Sequence, residues 1–98
     1  MIVYNGDVLE DFERIFEFIA ARDPMAALDH IDLIRDAVQT LDRHPYIGSL
    51  ISGDSTLREL IISVGITGYI ALYEYAENEK LVRIVAIRHQ REIGYRRR

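Results

Sequence analysis

Residues 81–95 read LVRIVAIRHQREIGY, and the first seven of them decide the fold. Only Arg83 interrupts the apolar run Leu81–Ile87, which predicts a strand that is apolar on both faces. Strict alternation places Val82, Ile84 and Ala86 on one face and Val85 and Ile87 on the other. Such a strand lies inside a sheet or is covered on both sides. Because one layer of helices covers only one face, the other needs the chain's own side chains or a partner chain.

The segments before this strand predict the rest of the sheet. Two segments, Leu57–Ser63 and Tyr69–Tyr75, are rich in aliphatic and aromatic residues, which is typical of strands. Residues 65–68 lie between these two segments, and residues 77–80 lie between the second segment and the strand that begins at Leu81; both predict turns. Met1–Tyr4, which precedes the turn signal Asn5-Gly6, predicts one more short strand. Residues 46–55 are expected to form a loop. The three later strands therefore form an antiparallel meander.

Apolar residues at gaps of three and four predict two amphipathic helices. The first runs from Val8 to about Ala21. The second begins at the capping pair Asp23-Pro24 and ends near His44-Pro45, since the residue before a proline avoids the helical region. The apolar faces comprise Leu9, Phe12, Ile15, Phe16 and Ile19 in the first helix and Ala27, Ile31, Ile34, Val38 and Leu41 in the second. A link of two residues predicts an antiparallel hairpin, so the expected class is α+β in the order βααβββ.

Length and composition restrict the class of protein. The chain has 98 residues, which predicts a single domain over residues 1–98, and 49% apolar with 29% charged residues is the profile of a soluble globular protein. No apolar run approaches the length of a membrane span, and the first residues do not resemble a secretory signal. Cysteine is absent, which excludes disulfides and cysteine–zinc sites. A cytoplasmic protein with no membrane contact is expected.

The charge is distributed unevenly along the chain. The net charge is −4, but residues 80–98 contain seven basic residues and one acidic residue, Glu92. A basic end on an acidic body indicates an anionic partner, either nucleic acid or an acidic protein segment. The alternative is that the basic end neutralises the acidic helices of the same domain.

Five short segments together resemble the RelE/ParE toxins of bacterial type II toxin–antitoxin systems. They are an Asp-Pro start to the second helix, a His-Pro-x-x-Gly exit, two strand motifs and the final strand with its polar end: Asp23 to Ala27, His44 to Gly48, Leu57 to Leu60, Gly68 to Tyr73 and Val85 to Tyr95. The resemblance implies a helical hairpin packed on a small curved, mainly antiparallel sheet. It also implies a cognate antitoxin that lies along the toxin and neutralises it.

The resemblance leaves two kinds of target open. RelE-like members cleave messenger RNA on the ribosome, whereas ParE-like members bind DNA gyrase. Metal-free RNA cleavage needs a base, an acid and cations that stabilise the phosphate. The candidates are Arg58, Arg88 and Arg91 for the phosphate, His89 as acid or base, Glu59 or Glu92 as base, and Tyr95 as acid or stacking platform. If the chain is a ParE-like toxin that binds gyrase, the residues expected to bind the target or the antitoxin are Arg88, His89, Gln90, Arg91 and Tyr95.

The hypothesis of a ParE-like toxin is favoured over that of a RelE-like ribonuclease. The RelE-like branch has an arginine after the tyrosine of the second meander strand, where this chain has Ile70, and an acidic body is repelled by ribosomal RNA. A nontoxic binding module of the same fold is a third possibility. The same residues also have purely structural explanations. Arg88 could form an ion pair with a helix carboxylate, and His89 could hydrogen-bond to groups near it in the chain. His30 and His44 are interpreted as incidental. No metal-ligand spacing or phosphate-binding loop is present, so no cofactor is expected.

Overall fold

The computed structural model describes residues 1–53 and 56–95. Two helices and five strands follow one another in the order β1, α1, α2, β2, β3, β4, β5. Their bounds are Ile2–Tyr4 for β1, Val8–Ala20 for α1, Pro24–Gln39 for α2, Ser49–Leu50 for β2, Leu57–Val64 for β3, Thr67–Ala76 for β4 and Leu81–His89 for β5. The α+β class and the helical hairpin are confirmed.

The strands form one sheet in the spatial order β1-β5-β4-β3-β2. β1 runs parallel to β5, and the other neighbours are antiparallel. β2 lies within the segment that was expected to be a loop, so the predicted order βααβββ lacks this short edge strand. None of the helices among the described residues is long and apolar enough to cross a membrane.

The helical hairpin covers one face of the sheet. Asp23 caps α2 by accepting hydrogen bonds from the backbone N–H groups of Met25 and Ala26, as the sequence predicted. The apolar face of α2 is buried as expected at Ala27, Ile34 and Val38, whereas α2 ends at Gln39, before the predicted end near His44, and Leu41 is enclosed in the 3₁₀ turn Thr40–Asp42 that follows. In α1 the buried stripe consists of Val8, Asp11 and Ile15. The assignment of Leu9 to the core was wrong, because that side chain is 64% exposed.

A β-bulge in β5 corrects the predicted faces of this strand. Ile84 is opposite Tyr73 and Ala86 is opposite Leu72, so Val85 is an extra residue that shifts the alternation by one position. Ile87 therefore joins Val82 and Ile84 under the hairpin, whereas Ala86 lies on the other side of the sheet. The prediction that Ala86 shares a face with Ile84 was wrong for this reason.

The face turned away from the helices, called here the open face, has a small core of its own. Leu57, Leu72 and Ala86 are buried there, and Tyr95 packs against them together with Ile51 and Val85. The C-terminal segment thus supplies much of the cover that the doubly apolar strand requires. The need for a partner chain on this face is weaker than the sequence indicated, although Ile61 remains 61% exposed.

Candidate functional site

The end of β5 sends its polar residues to opposite sides of the sheet. Arg88 is paired with Ile70 and lies on the open face, whereas His89 is paired with Tyr69 and lies on the helical side. The bulge at Val85 sets this arrangement, because it fixes which residues of β5 face the hairpin. The predicted cluster of Arg88, His89 and Arg91 is therefore divided by the sheet.

On the helical side, His89 borders a groove between the hairpin and the ends of β4 and β5. This hairpin groove has a volume of about 580 Å³. Its apolar wall comes from Ile15, Phe18, Ile19 and Ile66, and its polar lining comes from Arg14, Arg22, Asp23, His30, Thr67, Tyr69, His89, Arg91 and Glu92. A volume of this size is typical of sites that bind small molecules.

His30 belongs to the groove and is not incidental. Its Nδ1 lies 2.9 Å from the hydroxyl oxygen of Tyr69, and the two rings meet edge to face. Burial raises the pKa of Tyr69, so the phenol keeps its proton and is hydrogen-bonded to His30 Nδ1. The interpretation of His30 as incidental was wrong, because the residue is bonded to Tyr69 and lines the groove. Its spacing from Ala27 and Ile34 places it on the buried stripe of α2, a signal that could have identified it.

The imidazole of His89 is fixed by two hydrogen bonds. Its Nδ1 accepts the backbone N–H of Arg91 at 3.1 Å, and its Nε2 is hydrogen-bonded to the hydroxyl of Thr67. Because Nδ1 is an acceptor, the neutral ring carries its proton on Nε2 and donates it to Thr67. Burial and the positive charge of Arg91 lower the pKa of His89, while Glu92 opposes them. The ring is therefore neutral near pH 7.

A three-residue ion cluster joins α1 to the end of β5. Arg14 donates to Asp11 at 2.8 Å, to both carboxylate oxygens of Glu92 at 3.1 Å, and to the carbonyl of Ile87. Asp11 is almost fully buried and also accepts the backbone N–H of Ile87. Burial opposes the charge of Arg14, but the hydrogen bonds to Asp11 and Glu92 outweigh it and raise its pKa. This cluster fixes the wall of the groove.

Arg22 and Arg91 also line the groove but are not neutralised there. None of the ion pairs found among residues 1–53 and 56–95 involves either guanidinium. Arg22 lies over the ring of Phe18, with 4.9 Å between the guanidinium carbon and the ring centroid. Both residues are exposed. The groove consequently presents two cations to a ligand.

On the open face, Arg88 and Tyr95 are held by the chain itself. Arg88 Nη1 donates to the carbonyls of His89, Gln90 and Glu92, and its guanidinium stacks over the Tyr95 ring at 5.0 Å. The Tyr95 hydroxyl donates to Glu59 at 2.5 Å. Burial and this carboxylate raise the pKa of Tyr95. The contacts among Arg88, Tyr95 and Glu59 hold the C-terminal segment after β5 against the open face of the sheet.

Two further predicted residues are Arg58, which lies apart from His89, and Gln90, which follows His89 in the chain. Arg58 donates to the carbonyls of Tyr46 and Gly48, and it pairs across the sheet with Tyr73, four residues along β4 from the partner of His89. That separation is roughly 13 Å along the strand. The Gln90 side chain is exposed. The three arginines considered for the phosphate thus occupy three different places.

The tyrosines of β4 and the loop before β2 form a packed unit. The Tyr73 hydroxyl accepts the N–H of Gly48 and donates to the carbonyl of Pro45, both at 2.9 Å. A Cβ atom added at Gly48 would lie 2.6 Å from the Tyr73 ring, so only glycine fits there. This contact accounts for the glycine of the His-Pro-x-x-Gly motif.

Within the described residues, no group of three or more His, Cys, Asp or Glu side chains could hold a metal ion.

Comparison with known proteins agrees with this architecture. The family model described as ParE toxin of type II toxin-antitoxin system, parDE, matches residues 2–94. This match covers nearly the whole chain, so the protein belongs to the ParE toxin family of the RelE/ParE superfamily. As a member of a type II system, the chain is a toxin that has an antitoxin partner. No curated protein matches the sequence.

Proposed function

We propose that this toxin arrests growth by binding DNA gyrase, without cleaving RNA, and that its cognate antitoxin neutralises it by occupying the toxin surface. The observation that carries the proposal is the engagement of the strand arginines within the chain. Nη1 of Arg88 donates to three backbone carbonyls and Nη1 of Arg58 donates to two, which ties both side chains to the chain itself, although the buried Nε of Arg88 has no hydrogen-bond partner among the described residues. A phosphodiesterase needs such cations at the reacting phosphate.

The apolar residue Ile70 supports the same conclusion. Ile70 lies beside Arg88 on the open face and is only 8% exposed. It occupies the position where the nuclease branch carries an arginine, so the open face lacks that cation here. Tyr95, the candidate acid, donates to Glu59 and has a raised pKa, which makes it a poor proton donor at neutral pH. Binding to a protein surface requires none of these groups to react.

A supercoiling assay beside a translation extract tests the proposal. Purified toxin is added to both at matched concentration, and RNA from the extract is mapped by primer extension. The expected result is inhibited supercoiling and intact messenger RNA. Adding the cognate antitoxin at one hundred times its dissociation constant should restore supercoiling and stabilise the toxin by about 2.7 kcal/mol. Unaffected supercoiling, or a melting curve unchanged by antitoxin, would contradict the proposal.

One observation favours a second candidate, the ribosome-dependent ribonuclease. His89 is neutral near pH 7 and adjoins Tyr69, His30 and Arg91, which together offer a base, a proton donor and a cation. In that case primer extension reveals codon-specific cuts, and these disappear in a His89→Ala variant while supercoiling is unaffected. A control variant, His44→Ala, changes an exposed histidine outside the groove and retains the cuts.

A further inference from the structure

The hairpin groove contains hydrogen-bond acceptors that are already engaged. Asp23 accepts the N–H groups of Met25 and Ala26 at the start of α2. The Glu92 carboxylate accepts two hydrogen bonds from Arg14 and one from the backbone N–H of His89. A ligand that enters the groove therefore meets carboxylates whose charge is offset by neighbouring donors.

The donors of the groove, in contrast, remain available. The guanidinium groups of Arg22 and Arg91 take part in none of the ion pairs among residues 1–53 and 56–95. Because Thr67 accepts the proton of His89 Nε2, its own hydroxyl proton is free to be donated. When Tyr69 donates to His30 Nδ1, the proton of the His30 ring is carried on Nε2 and can be donated to a ligand. Four donor groups thus line one groove.

Only a ligand that is rich in acceptors matches this set. A phosphate monoester offers three acceptor oxygens and up to two negative charges, and guanidinium groups bind it with charge-assisted hydrogen bonds. A carboxylate offers two oxygens and uses fewer of the donors. The apolar wall of Ile15, Phe18, Ile19 and Ile66 lies in the same groove and suits the planar or carbon-rich part of a larger molecule.

We propose that the hairpin groove binds a free nucleotide through its phosphate monoester, with Arg22, Arg91, Thr67 and His30 as the donors. The volume of about 580 Å³ accommodates a ligand of the size of a mononucleotide. A free nucleotide fits better than nucleic acid, because residues 1–79 carry fifteen acidic and five basic residues and repel a polyanion. The test of this site does not depend on the gyrase proposal, because nucleotide binding is measured directly and without growth arrest.

An NMR titration of the full chain with adenosine 5′-monophosphate tests the site. The imidazole signals of His30 and His89 should shift with the nucleotide, and adenosine without phosphate should shift them little at the same concentration. Arg91→Gln and Arg22→Gln should each weaken binding about tenfold, the loss expected for a charge-assisted hydrogen bond. Both positions are exposed, so both variants should fold.

The matched control is Arg43→Gln, which makes the same charge change at an exposed arginine outside the groove. It should bind the nucleotide as the unaltered chain does. Equal weakening in Arg43→Gln, or unshifted His30 and His89 signals at millimolar nucleotide, would overturn the site. A 5′-phosphorylated oligonucleotide forms the last arm, and tighter binding of this probe than of the mononucleotide would overturn the assignment to a free nucleotide.

Discussion

The two sides of the sheet at the end of β5 use the same residue types in different ways. On the open face, Arg88 and Tyr95 are bonded to backbone carbonyls, to each other and to Glu59. In the hairpin groove, Arg91 takes part in none of the ion pairs among the described residues, and the His89 ring is bonded to Thr67 and to the backbone N–H of Arg91. Residues 88 and 89 are neighbours in sequence, yet the first secures the fold and the second faces a cavity.

This difference shows that a cationic cluster in sequence is not one site in space. The alternation of a strand sends consecutive residues to opposite faces. A side chain whose donors are consumed within the chain contributes to stability, whereas one with unused donors remains available to a ligand or partner. Variants at matched positions on the two faces can therefore test whether the two faces differ in this way.

The largest effect is expected for Asp11→Ala. This carboxylate is 1% exposed, and its loss leaves the buried N–H of Ile87 without an acceptor and removes one carboxylate partner of the partly buried Arg14 guanidinium. Removing one partner of such a buried charged network costs about 3 kcal/mol or more. A domain of this size should then melt more than about 10 °C lower. Thermal unfolding followed by circular dichroism measures the change.

The control for that variant is Glu13→Ala, which removes an exposed carboxylate from the same helix and should cost less than about 0.5 kcal/mol. A similar loss in both variants would mean that the ion cluster between α1 and β5 contributes no more than surface charge. In that case the wall of the groove would be held by apolar packing alone.

The next effect separates the arginines of the two faces. Arg88→Ala removes three hydrogen bonds to backbone carbonyls and the stacking on Tyr95, so a loss of about 2 kcal/mol is expected. Arg91→Ala should change stability by less than about 0.5 kcal/mol, because its side chain is exposed. Urea unfolding of both variants gives these values.

Growth arrest measured on the same two variants completes the test. Arg88→Ala should lose activity only in proportion to its loss of folded protein, whereas Arg91→Ala should lose activity at an unchanged melting temperature. The reverse pattern would move the functional surface to the open face. It would also return Arg88 to the role that the sequence alone suggested.

Much of the fold could be predicted from the sequence because the apolar periodicity is strong. The gaps in α2 correctly gave Ala27, Ile34 and Val38 as core residues, and the strand-forming runs gave β3, β4 and β5. The bulge at Val85 could not be predicted, because residues 84–87 are all apolar. Any of them could face the helices or the open face without exposing a polar group to the core, so the sequence does not show where the alternation of the strand changes. That one position decides which face each later residue of β5 occupies.

The site was less predictable for a related reason. His30 and Tyr69 are 39 residues apart, and only the packing of α2 against β4 brings them together. Asp11 was hidden because a carboxylate among the acids of α1 resembles a solvated face, although its spacing from Val8 and Ile15 fits the buried stripe. A polar residue at core spacing is therefore a useful signal for a site.

Residues 54–55 and 96–98, including three arginines of the basic end, lie outside the described residues.

A smaller effect is expected when only hydroxyl groups are removed. Tyr95→Phe deletes the hydrogen bond to a carboxylate on the open face and should cost about 1.5 kcal/mol. Tyr69→Phe deletes the bond to the His30 ring and should cost about 0.5–1 kcal/mol. Urea unfolding measures both variants. A greater loss for Tyr69→Phe would mean that the groove contributes more to the fold than the open face does.

The smallest effect concerns the titration of His89. Burial and the charge of Arg91 lower the pKa of His89 below its ordinary value of 6.5, and His30 acts in the same direction while Glu92 opposes them. The unfolded chain then binds a proton more readily than the folded chain, so the contribution of His89 to stability is present above pH 6.5 and is lost as the pH falls. An NMR titration of the His89 ring should give a midpoint below 6.5, and a His89→Gln variant should lose less stability between pH 7.5 and 5.5. A midpoint above 6.5 would mean that Glu92 outweighs Arg91 and that the groove favours cations. That result would contradict the contrast between the two faces and the anionic ligand proposed for the groove.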